Sequence, residues 1–194
     1  MNTKTLGIIS ATLSCLTWIN WQCNAADTKP ESPKAPAKGK HELNGATVSV
    51  GIPRGWTELS QTGRISFYSP DKTSVISIRL HPTSATGQSS QLLSERTREI
   101  AQQRYHCSGI LTEQPWTGLR HQGRIVDFEK VQKDAQGRTS ATILSRLATT
   151  PTLNGLLEIC YSAPAASFQK QMPELEGVLE NLRLETPGDL QASK

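Results

Sequence analysis

Two serine–lysine pairs stand at the spacing that penicillin-binding acyl-transfer enzymes use for a nucleophile and its base: Ser69 with Lys72 in SPDK, and Ser167 with Lys170 in SFQK. A hydroxyl attacks there only when the rest of the site is built around it, and the companion SDN and KTG motifs are absent. Serine and lysine are common enough in this chain for such a match to arise by chance. HELNG opens as a zinc-protease helix would, with His41 and Glu42, but has Gly45 where the second histidine belongs. There is no CxxC, P-loop or GxSxG. His41, His81, His106 and His121 lie far apart, at no metal-ligand spacing. Asp127 and Glu129 alternate with Val126 and Phe128, as charges on a solvated strand face do. These residues point to a chain that is not an enzyme and that needs neither a cofactor nor a metal.

The cysteines carry a different chemistry. The first 26 residues read as a signal peptide: Lys4 supplies the positive start, LGIISATLSCL the apolar run, and CNAAD a small-residue cleavage point after Ala25 or Ala26. The apolar run is too short and too interrupted for a membrane span. A lipoprotein would use Cys15, but Thr12 stands where a lipobox carries an aliphatic residue. Removing this segment removes Cys15 and Cys23 and leaves Cys107 and Cys160. In an exported domain two cysteines are expected to pair, so a structural disulfide Cys107–Cys160 is predicted, with a free thiol beside His106 as the alternative.

Residues 27–40 form a linker with Pro30, Pro33 and Pro36 and no large apolar side chain. Lys29, Lys34, Lys38 and Lys40 face only Asp27 and Glu31, so any membrane contact would come from this basic stretch. The whole chain has 21 Lys and Arg against 17 Asp and Glu. With leader and linker set aside the balance is close to neutral, and nothing there suggests the clustered basic face that a nucleic-acid binder needs. Residues 41–185 are the size of one domain, followed by a disordered tail at 186–194.

Period-two alternation marks the strands of that domain. Val48, Val50 and Ile52 alternate with Thr47, Ser49 and Gly51, and Ile76, Ile78 and Leu80 share one face of a later strand. GRIVDFEKVQ and RTSATILSRLATT are joined by the turn KDAQG. LNGLLEICYSA has apolar residues on both faces, which predicts a central strand covered on both sides. Between the strands, SSQLLSERTREIAQQRYHC has helical period: Ser89 or Ser90 caps it, Leu93, Thr97, Ile100 and Cys107 form the buried stripe, and Gly109 ends it. A second helix carries Phe168, Met172, Leu175, Leu179 and Leu182, with Pro173 opening or kinking it. Pro53 and Gly55 break the first strand at a scaffold corner, and Trp56 turns inward. The fold class is α+β with a mainly antiparallel central sheet.

The succession VSVGIPRGWTELS, ISFYSPDKTSVISI, a helix, three strands and a final amphipathic helix resembles the PsbP-like superfamily, which includes the photosystem II extrinsic subunit P and bacterial envelope proteins of the DcrB type. Its motifs here are Ile52-Pro53, Gly55-Trp56 and Ser69-Pro70-Asp71. The resemblance implies an α/β/α sandwich and a binding or assembly role without catalysis. It transfers no functional residue, because the matching motifs are structural. The expected protein is a periplasmic binding or assembly factor of the bacterial cell envelope, whose partner is another envelope protein. The alternatives are an immunity or inhibitor protein that neutralises a secreted toxin, and an enzyme of unrecognised type. Recognition is expected on surface segments. HPTSATGQSS, residues 81–90, is the first candidate, and TEQPWTGLRHQG, residues 112–123, comes next. Trp116, Arg120 and His121 cluster in the second, with Trp and Arg the types that dominate interface energies. The competing reading places Trp116 in the core beneath a long loop.

Overall fold

The computed structural model of the protein describes residues 38–82 and 89–185. Ten strands and three helices follow in the order β1 (Lys38–Leu43), β2 (Ala46–Gly51), β3 (Thr57–Gln61), β4 (Arg64–Tyr68), β5 (Val75–His81), α1 (Ser90–Gln103), β6 (Gly109–Gly118), β7 (His121–Lys133), β8 (Thr139–Thr152), β9 (Gly155–Pro164), α2 (Ala165–Phe168), α3 (Met172–Asn181) and β10 (Arg183–Glu185). The doubly apolar strand is where its pattern demands. β9 is the middle strand of a seven-stranded antiparallel sheet ordered β3-β4-β5-β9-β8-β7-β6. Leu157, Ile159 and Tyr161 enter one apolar layer, and Leu156 and Cys160 enter the other.

Helix α1 covers one face of this sheet. Ser89 accepts the amide of Leu92 as its cap, and Leu93, Thr97, Ile100 and Ala101 are buried. They meet Val126, Phe128, Leu147, Leu156 and Cys160. The other face is covered by α2 and α3 together with a small antiparallel sheet ordered β1-β2-β10. Val48, Val50, Leu175 and Val178 share a core with Ile76, Ile78, Leu157 and Tyr161, and the Tyr161 ring stacks on Phe168 at 5.1 Å. The antiparallel sandwich is therefore as expected, except that one outer layer is part sheet. The Pro53–Trp56 turn is the corner that carries the chain from the small sheet to the large one. It is closed by Trp56 N–H to the Pro53 carbonyl at 3.1 Å, with Gly55 at φ 78°. Trp56 is half-buried against the core.

Several expectations need correcting. Helix α1 ends at Gln103, so Cys107 lies beyond it and the helical phase that aimed it inward does not apply. Positive φ at His106 turns the chain out of the helix, and the Cys107 amide closes on the Ala101 carbonyl. Cys107 and Cys160 are free thiols in the structure, not the predicted disulfide, although both touch the same apolar cluster. Burial raises both thiol pKa values, that of Cys160 to about 12, which keeps it protonated and unreactive near neutral pH. Pro173 opens α3 rather than kinking a longer helix, and Val178, not Leu179, turns fully inward. The last three linker residues, Lys38 to Lys40, already belong to β1. Most of the 81–90 segment and all of 1–37 and 186–194 lie outside the described residues. Among the described residues no helix is long and apolar enough to cross a membrane.

Candidate binding cleft

The segment expected to be a recognition loop is two strands and a tight turn. TEQPWTG completes β6 and HQG begins β7, leaving only Leu119 and Arg120 between them. β6 is an edge strand, where Pro115 removes no ladder bond that the sheet needs. Its residues are mostly exposed, so apolar alternation is missing and period gives no signal.

A two-residue hairpin loop whose central residues both have positive φ normally uses Asn-Gly. Here Leu119 and Arg120 hold φ 50° and 65°. Each left-handed non-glycine residue costs of order 1–3 kcal/mol, and such strain persists where the surrounding structure fixes it. Leu119 supplies part of that constraint by packing against the main core, whereas Arg120 is exposed. Arg120→Gly should therefore raise the unfolding free energy by about 1 kcal/mol, or Tm by roughly 3 °C. Thermal denaturation checks it, and a lower Tm would show that Arg120 holds the turn through contacts of its side chain.

Next to the turn, the Trp116 indole lies over Gly118 and Gly123. A β-carbon at Gly118 would stand 2.1 Å from the ring, and one at Gly123 2.8 Å from it. The two glycines thus form a flat seat for an aromatic ring. Trp116 is half-buried: it packs on the core with one edge and lines a cleft with the other, so both readings of it hold in part.

That cleft has a volume of about 740 Å³. Its walls are the β6–β7 turn on one side, and the end of α3 with β10 on the other. Trp116, Leu119, Leu179 and Leu184 give it an apolar lining, and Leu153, 74% exposed on the β8–β9 turn, stands at its mouth. Arg120, Arg183 and Glu180 supply its charge, and His121 adds an imidazole to the lining. Arg183 donates to the carbonyls of Glu180 and Leu182 at 2.8 and 2.6 Å, satisfying the end of α3. Among the described residues no carboxylate lies within ion-pair distance of Arg120, His121 or Arg183. A smaller hollow of about 300 Å³ lies between Ser90, Leu93, Pro115 and Arg124, but Arg124 is already bonded there to Ser90. All three sequence-predicted interface residues, Trp116, Arg120 and His121, thus meet in one cleft. Leu153, Leu179, Arg183 and Leu184 were not among the expected residues. The apolar Leu153 in the turn PTLNG was the available signal for the first of them.

A second polar cluster lies under α1. Glu158 on β9 is fully buried. Tyr105 Oη donates to its carboxylate at 2.5 Å, His81 Nε2 stands at 2.7 Å, Arg104 donates at 3.0 Å and Arg79 Nε lies 3.6 Å away. Burial would raise its pKa, but the hydrogen bonds from His81 and Tyr105 and the charge of Arg104 hold it below the usual carboxylate value. Both carboxylate oxygens are engaged, so the cluster fastens the end of α1 to the sheet rather than presenting an acid to a substrate. Asp127 is likewise no solvated rim charge: it forms a bidentate pair with Arg146 on β8, both contacts at 2.7 Å.

The architecture has counterparts among solved structures. Cyanobacterial PsbP (CyanoP) of Synechocystis sp. PCC 6803 is similar with a TM-score of 0.51 at 8% identity, covering 79% of this chain and 96% of that one. The chain has the PsbP-like fold. LpqN of Mycobacterium tuberculosis, described as involved in cell envelope biogenesis, gives 0.46 at 9% identity over 77% of this chain and 91% of its own. A protein of Bacteroides thetaiotaomicron gives 0.45 at 20% identity over 73% of this chain, which spans 46% of that protein. No family model matches the chain, and no curated protein matches it in sequence. The PsbP-like resemblance thus holds for the fold.

Proposed function

We propose that the protein is an exported, non-catalytic binding factor of the cell envelope that engages a protein partner through the Trp116–Arg120 cleft. The observation that carries this reading is the left-handed Leu119–Arg120 turn. It places a guanidinium that no carboxylate among the described residues pairs beside a half-exposed indole, at a local energetic cost that the fold bears elsewhere. Trp and Arg around an apolar lining are the composition of an interface centre. A PsbP-like fold is a scaffold on which such a surface can be carried, and the fold itself does not name the function.

Leu153→Asp tests the reading. Leu153 is largely exposed, so the substitution should leave Tm nearly unchanged. The variant and the parent, used as bait on envelope extract, should differ in one captured protein, which the parent retains and the variant loses. An identified assembly component of the envelope supports the proposal. A secreted toxin would replace it with an inhibitor role at the same cleft, and equal capture by both baits would remove the cleft from the function.

A further inference from the structure

Resting on that reading, we infer that the partner enters the cleft as an extended segment that adds a strand to the free edge of β10, with side chains alternating apolar and acidic. In the small sheet β10 pairs with β2 on one side only, and among the described residues its other edge has no partner strand. An edge strand presents unpaired backbone N–H and C=O groups, which a peptide satisfies by lying alongside it. Two of the three β10 residues, Arg183 and Leu184, line the cleft, so a strand docked there would run through the cleft rather than away from it.

Three residues of backbone provide few hydrogen bonds, and the side chains must supply the rest of the affinity. In a strand they alternate between two faces. One face of the incoming segment would meet Trp116, Leu119 and Leu179, which takes apolar groups. The other would meet Arg120 and Arg183, whose charges no carboxylate among the described residues balances. With Glu180 the single acid of the cleft, charge complementarity selects an acidic segment over a basic one.

The full chain, labelled for amide NMR, is titrated with a synthetic peptide alternating leucine and aspartate. Controls are its leucine–lysine counterpart, an aspartate peptide N-methylated at alternate amides, and sodium oleate. The aspartate peptide should shift the amides of Arg183 to Glu185 and the Trp116 indole. Arg120→Ala, N-methylation and the lysine sequence should each weaken it by about tenfold or more, the size of one lost charge-assisted bond. Equal binding of the lysine peptide, indifference to N-methylation, or oleate shifting the cleft where the aspartate peptide does not would each overturn the inference. Those results leave the cleft as a binding site of other chemistry. Failure of the broader reading shows separately, as unchanged capture by Leu153→Asp.

Discussion

Glu158→Ala should destabilise the fold by about 3 kcal/mol at neutral pH. The carboxylate is fully buried and is the common partner of Tyr105, His81, Arg104 and Arg79. Removing the shared carboxylate leaves the arginines without their counter-charge and the buried donors without an acceptor, and that penalty exceeds the value of the bonds themselves. The side chains of Arg79, His81 and Arg104 reach partly into solvent, which places the loss at the lower end of the range for buried pairs. The effect carries a pH signature whose sign is fixed. The folded-state pKa of Glu158 is depressed, so its stabilisation is complete above the unfolded value near ~4.3 and is lost as pH falls through the folded value. Urea unfolding of parent and Glu158→Gln should show a stability gap that is constant around neutral pH and closes below about pH 4. A gap independent of pH would mean that Glu158 is held by packing and not by charge.

Glu158 also shows where reading the sequence stops. LLEICYSA identifies a strand with two apolar faces, and a glutamate in such a strand has to be buried and paired. Its partners come from β5 and from the turn after α1, and no spacing along the chain announces them. Helices, the central strand, the Pro53–Gly55 corner and the KDAQG turn were legible because each is a local pattern of period or turn chemistry. The hairpin at Leu119–Arg120 was not, because its turn residues contradict the Asn-Gly preference and its outer strand lacks apolar alternation. The β1-β2-β10 sheet joins opposite ends of the domain, and its three-residue last strand has no signature of its own. Trp116, Arg120 and His121 were found by residue type alone. The opposite wall of the cleft, from α3 and β10, depends on that long-range pairing and stayed out of sight.

Gly123→Ala and Gly118→Ala should separate folding from binding in this region, although both add one methyl group near the same indole. At Gly123 the new β-carbon would stand 2.3 Å from the Thr149 carbonyl oxygen and 3.3 Å from the Thr150 β-carbon, besides its approach to Trp116. Thr149 is backbone in β8, the strand to which β7 is paired at Arg124, so the collision can be relieved only by pushing the two strands apart. Overpacking of this kind costs about 3 kcal/mol, equivalent to a fall in Tm of roughly 10 °C. At Gly118 the atoms met are all in the Trp116 ring, the nearest at 2.1 Å, and the ring can turn away. The fold should then lose little, while the indole is driven off its seat and out of the cleft. Gly118→Ala is expected to keep most of its Tm, move tryptophan emission to the red and lose partner capture. Gly123→Ala is expected to melt early whatever the partner does. If Gly118→Ala also unfolds early with no change in emission before the transition, Trp116 is fixed in the core, and the wall it contributes to the cleft belongs to stability instead of recognition.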